Sequence, residues 1–148
     1  MWRKPDEVIG EEGVPYLLRW WLFKSAFLCV YLHKFLHSDS DRALHDHPAP
    51  SLSFLLGDYL EIILDEPNGV RRIVRRKQFN FVYRKATHIH RIVLYSDRNK
   101  KPIPVYTLFL FFGSKRRNWG FWCNDERFVP WQQFCDERDH GKIGRGCD

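Results

Sequence analysis

Ser51-Leu52-Ser53-Phe54-Leu55-Leu56-Gly57-Asp58-Tyr59-Leu60-Glu61-Ile62-Ile63-Leu64 is two short apolar runs folded about a Gly-Asp dipeptide. That arrangement predicts two antiparallel strands, Ser51 to Leu56 and Tyr59 to Leu64, joined by a tight hairpin. Alternation within the second strand gives Tyr59 and Glu61 the same parity, so both face one side of the sheet.

The same pattern continues in both directions from this hairpin. Pro67-Asn68-Gly69 makes the next turn. Val70 to Arg76 and Phe79 to Tyr83 follow as strands, and a short loop leads into His88. His90 to Tyr95 continues as strand, Asp97 to Pro104 is a polar loop, and Val105 to Phe112 is a strongly β-prone run ending at Gly113. Trp119 to Cys123 reads as one more strand, and Phe128 to Phe134 as a short helix with Pro130 in its first turn. On the N-terminal side, Pro48-Ala49-Pro50 suits only a strand edge or a bend, Ser38-Asp39-Ser40-Asp41 a turn, and Ala26 to Phe35 a strand. Roughly seven to nine short strands with turn signals about every eight to twelve residues predict an all-β antiparallel sandwich or barrel. No helical periodicity long enough for βαβ units separates them, and no Gly-rich nucleotide loop or nucleophile elbow is present.

At 148 residues, the chain is read as one domain with a core of its own. Residues 1–25 form a mixed lead-in, 26–123 the β-barrel and 124–148 a C-terminal extension whose tail, Asp136 to Asp148, is expected to be mobile. The hydrophobic share of 44% excludes a disordered chain. Tyr16 to Leu32 is interrupted by Arg19 and Lys24, so no membrane span is expected. With no secretory leader evident, the chain is read as soluble and cytoplasmic. Cys29, Cys123, Cys135 and Cys147 are therefore expected as free thiols. A zinc site from the last three with His140 lacks the close ligand pairs that such sites use.

The net charge of +6 lies largely in Arg71, Arg72, Arg75, Arg76 and Lys77, with a second cluster at Lys115, Arg116 and Arg117. Either a solvated strand face or a phosphate-binding patch, with Trp119 and Trp122 stacking on bases, fits that composition; the first is the expectation.

His45-Asp46-His47 and His88-Ile89-His90 carry the chemistry. Side chains at i and i+2 of a strand share a face, with Cα atoms roughly 6.6 Å apart, so each pair can converge on one metal ion. Imidazole nitrogen suits Fe, Zn, Cu or Ni. His33 and His37 flank the end of the first strand; they are read as ordinary strand or surface residues, with a role behind the ligands as the alternative.

His45-Asp46-His47-Pro48 running through Ser51 to Gly57, followed some thirty residues later by Arg84-Lys85-Ala86-Thr87-His88-Ile89-His90, resembles the cupin superfamily. Tyr31-Leu32-His33-Lys34-Phe35 and Trp119-Gly120-Phe121 look more narrowly like small single-domain cupins of bacteria and phages. The resemblance implies a jelly-roll barrel, or double-stranded β-helix, with one divalent metal near its mouth. Its ligands would be His45, His47 and His90, with His88 as a candidate fourth. Fe(II) is the expected ion, with Zn(II), Ni(II) and Mn(II) as alternatives.

Two departures matter. Where many metal cupins carry Glu, this chain has Ser51, and Lys85-Ala86-Thr87 replaces a Pro-x-Gly turn. The implied activity is an Fe(II)-dependent dioxygenase acting on a small-molecule substrate, with Tyr59 and Glu61 as the residues to position it or move a proton. The alternatives are a metal-dependent isomerase, a binding module for a small ligand or, non-specifically, nucleic acid, and an inert barrel that forms a homodimer.

Overall fold

The computed structural model describes residues 3–11, 14–39, 42–113, 116–135 and 144–148. Ser40-Asp41 of the expected turn, Lys115, His140 and the rest of 136–143 in the expected tail lie outside the described residues.

Among the described residues, twelve strands form two antiparallel sheets. The first has the order β1 (Glu7–Glu11), β2 (Val14–Lys24), β3 (Leu28–Phe35), β10 (Val105–Phe112), β5 (Ser51–Leu55), β8 (Phe81–Arg84). In the second the order is β12 (Arg127–Pro130), β11 (Gly120–Cys123), β4 (Leu44–His45), β9 (Ile89–Leu94), β6 (Tyr59–Leu64), β7 (Arg71–Arg76). The tight hairpin expected about Gly57-Asp58 is corrected: β5 and β6 do not pair but enter different sheets, β5 pairing with β10 and β8 and β6 with β9 and β7. This crossing back and forth is what a jelly roll does, and the fold is a jelly-roll barrel.

The sheets are held face to face by alternation. Ser51, Ser53 and Leu55 of β5 are buried while Leu52 and Phe54 are half-buried, and in β6 Tyr59, Glu61 and Ile63 point inward. Leu17, Phe35, Leu55, Val82 and Val105 from the first sheet meet Tyr59, Ile92 and Leu94 from the second in one cluster. A fully buried side chain of this size stabilises by about 1.5–3 kcal/mol, so this seam supplies much of the cohesion between the sheets.

The lead-in differs from the expectation. Within it β1 and β2 extend the first sheet beyond β3. Arg19 and Lys24 had argued against an apolar span, and such charges are compatible with a strand near the sheet edge, where Arg19 reaches Glu7.

At the C-terminus, Pro130 closes β12 and the helix α1 (Trp131–Cys135) follows it. Phe134 stacks on Phe121, and Trp119 on Trp131, so these aromatic rings are packing elements of a second small core. Gly120 is required there by close approach, because a Cβ at this position would lie 2.1 Å from the carbonyl oxygen of Val129.

The free-thiol expectation is corrected for Cys123 and Cys147. Cys123 and Cys147 form a disulfide, which ties the last described residues to β11. The bond also removes two of the thiols from the zinc cluster written with Cys135 and His140. Cys29 remains a buried thiol.

The basic clusters are largely matched within the molecule. Arg71 pairs with Asp125, Arg72 with Asp65, Arg75 with Asp58 and Arg76 with Glu61. Arg117 pairs with Asp46, and Arg116 lies over the Phe111 ring. Among the described residues no helix is long and apolar enough to cross a membrane.

Candidate metal centre

β4 is only two residues long, yet its placement decides the site. It lies between β11 and β9, and its register sets His45 directly opposite His90. Asp46, between the paired histidines, turns the other way. Its carboxylate accepts hydrogen bonds from Gly120 N–H at 2.9 Å and Trp122 Nε1–H at 3.3 Å, and it pairs with Arg117 at 2.9 Å. A second link runs from Asp46 N–H to the Gly120 carbonyl. With Asp46 pinned to β11, His45 and His47 are left on the inner face with His90.

The ligating nitrogens of these three residues lie within 4.8 Å of one another, an arrangement able to hold a metal ion. His47 Nε2 and His90 Nε2 are 2.8 Å apart. Two nitrogens each about 2.1 Å from one ion at a right angle would be about 3 Å apart, so the spacing suits neighbouring corners of one coordination shell.

The other side of His90 fixes its tautomer. Its Nδ1 lies 2.6 Å from Glu61 Oε1, short although bent away from a straight hydrogen bond. A lone pair could not face a carboxylate so closely, so Nδ1 carries the proton and Nε2 presents its lone pair toward His47. The donor set therefore fits a metal: three imidazoles with nitrogens within 4.8 Å of one another, one of them backed by a carboxylate.

Glu61 has no solvent exposure. Arg84 Nε and Nη2 donate to its two oxygens at 2.7 and 3.1 Å, Arg76 donates from β7, and His88 Nε2 lies 3.1 Å away. Burial alone would raise the carboxyl pKa, but hydrogen bonds from His88 and His90 and the charge of Arg84 outweigh it and hold Glu61 well below the usual carboxylate range. It is a permanent anion.

Tyr59 and Glu61 share the inward face, as their parity predicts, but differ in reach. Tyr59 lines the chamber described below and accepts a hydrogen bond from Arg84 Nη2 at 2.9 Å, while Glu61 sits behind His90. His88 joins Glu61 and His90 in a second cluster rather than His45 and His47. Two arginines already face that carboxylate, so an added cation there would meet net repulsion.

The three histidines open on a chamber of about 100 Å³, walled also by Tyr16, Arg19, His33, Tyr59, Arg84 and Thr107. His33 is corrected from the ordinary strand residue expected: it is buried and its Nε2 accepts a hydrogen bond from Arg19 Nε at 2.9 Å. His37 does not line the chamber. Arg84 was missed altogether, although its parity with Val82 in β8 points it inward.

The structure resembles solved oxalate decarboxylase chains of Bacillus subtilis. Against one variant the TM-score is 0.55 at 18% identity, covering 78% of this chain and 30% of that chain. Against another it is 0.51 at 18% identity, covering 76% and 29%. These belong to the cupin superfamily. The chain has the cupin fold. A cupin superfamily protein of Desulfitobacterium hafniense aligns over 76% of this chain and 83% of its own, with TM-score 0.48 and 13% identity. This chain thus spans under a third of the oxalate decarboxylase chains but most of the single cupin. No protein-family model and no curated protein matches the sequence. In this chain Ser51, where the resemblance places a glutamate, holds a buried hydroxyl without a partner, and the carboxylate nearest the triad comes from β6 instead.

Burial lowers the pKa of His33, His45, His47 and His90 below the ordinary 6.5. For His90 this prevails over the contrary pull of Glu61. The unfolded chain therefore takes up protons first on acidification. Stability from these groups is complete above pH 6.5 and is lost as pH falls toward the folded-state values, by up to about 1.4 kcal/mol per pH unit for each histidine. Melts of the metal-free protein should show a level Tm above about pH 7 and a falling one below about pH 6. A Tm that rises on acidification contradicts neutral buried imidazoles.

Proposed function

We propose that this protein is a metal-dependent enzyme acting on a small anionic molecule, with an Fe(II) dioxygenase as the activity. The observation that carries the reading is the convergence of His45, His47 and His90 on one chamber. Three neutral nitrogen donors leave part of a coordination shell open, which suits a chelating substrate together with O₂. The bound metal would supply Lewis acidity and one-electron chemistry toward O₂.

Charge balance indicates the substrate's sign. Of the charged side chains that line the chamber, Arg19 and Arg84 are cationic and Asp39 is anionic. Neutral imidazoles add nothing, so a divalent ion brings uncompensated positive charge into a buried space. An anionic substrate offsets it. A chamber of about 100 Å³ suits a small molecule.

The chain's own residues do the rest. Glu61 keeps the His90 proton on Nδ1 and so acts through that ring as a positioning residue. Tyr59, whose pKa is raised by burial, holds its phenolic proton and is the proton donor at the chamber wall.

The test is an oxygen-electrode assay of Fe(II)-loaded protein with a panel of short carboxylic acids. Oxygen uptake matched to substrate loss, and abolished in His47→Ala, is the expected result. Substrate loss without oxygen uptake replaces the dioxygenase by the isomerase, and neither loss nor binding of any acid leaves a non-catalytic barrel.

A further inference from the structure

The wall facing the triad carries a polar row whose composition the metal site leaves unexplained. Cross-strand register aligns Arg19 of β2 with His33 of β3, and His33 with Thr107 of β10. All three line the chamber. Residues aligned this way on the inner face of a jelly roll are ordinarily apolar, as Leu17, Phe35 and Val105 are in the parallel row two residues away. Thr107 is 2% exposed and its hydroxyl has no hydrogen-bond partner. A buried hydroxyl left in that state destabilises the fold, whereas valine has the same shape and no such cost.

We propose that Arg19, His33 and Thr107 form a subsite that receives a carboxylate of the substrate, whose second oxygen donor reaches toward His45, His47 and His90. This assignment rests on the metal-site reading above and adds the substrate class and the residues that select it. The hydrogen-bonding roles agree. His33 Nε2 is occupied by Arg19, so the ring proton resides on Nδ1. Arg19 has five N–H donors, of which one goes to His33 and one to Glu7. Thr107 adds a hydroxyl donor. A row of donors containing a guanidinium matches an oxyanion rather than a cation or an apolar group. Glu7 holds the guanidinium in place from the partly exposed side, and the Phe109 ring stacks on His33. Both restrict motion of the donors, so little ordering is needed when the anion arrives.

The experiment uses sodium acetate as the probe and sodium chloride at equal ionic strength as the control, read from amide resonances of the ¹⁵N-labelled protein. Metal-free and Zn(II)-loaded samples are both titrated. Saturable acetate shifts at Arg19, His33 and Thr107 in both samples are the expected result, with affinity about fivefold or more weaker in Thr107→Val and in Arg19→Gln. Thr107→Val should bind zinc as the wild type does and, without acetate, melt at the same or a higher temperature. Shifts absent from this row, acetate affinity unchanged in Thr107→Val, or a lower melting temperature for that variant overturns the subsite, the last because the hydroxyl would then be a structural group. Failure of the wild type to bind zinc would remove the metal reading while the metal-free titration still decides this one.

Discussion

Glu61→Ala is expected to cost about 3–5 kcal/mol of stability and to weaken metal binding about 10- to 100-fold. The first effect follows from Arg84, whose side chain is 3% exposed and cannot turn to water when its carboxylate is removed. Arg76 is less affected because about a quarter of its side chain remains accessible. The second effect follows from His90, which loses the group that holds its proton on Nδ1 and its Nε2 toward His47. The two are separable. In Glu61→Leu with Arg84→Met, both members of the buried pair are replaced by apolar groups of similar size, which is commonly neutral or stabilising. Thermal melts of the metal-free double variant should recover most of the loss, while metal titration should still show the weakened site. Recovery of both would mean that Glu61 supports the fold alone and does not orient His90.

The two strands flanking Gly57-Asp58 were legible because period-2 alternation is a local signal, and the inward parity of Tyr59 and Glu61 came with it, but the expected hairpin was not formed, because the choice of pairing partners that sends β5 and β6 into different sheets is long-range. The common face of His45 and His47 came from the same rule. What separates His90 from His88 is not local. Both have inward parity, but only His90 stands opposite His45, and that depends on how β4 registers against β9 across some forty intervening residues. Arg84 escaped notice because it closes a strand whose other residues alternate between buried Val82 and exposed Phe81 and Tyr83, and a terminal arginine reads as the start of a loop. His33 was undervalued for a similar reason: nothing near it in the chain announces that Arg19 will lie beside it. The Cys123–Cys147 disulfide requires the C-terminal segment to return to β11, a long-range closure that cysteine spacing does not encode.

The second large effect is loss of the metal itself. Removing His47 takes away one of the nitrogens in the close Nε2 pair, and removing His90 takes away both the other nitrogen and the link to Glu61. His88 contacts Glu61 instead, so His88→Ala should leave most of the metal in place. The decisive measurement is elemental analysis of untagged protein beside His47→Ala, His90→Ala and His88→Ala, each checked for folding by its thermal melt. The account predicts about one ion per chain in the wild type and in His88→Ala, and less than about a tenth of that in folded His47→Ala and His90→Ala. No metal in any preparation, even after reconstitution, or metal retained in His47→Ala and lost in His88→Ala, contradicts it.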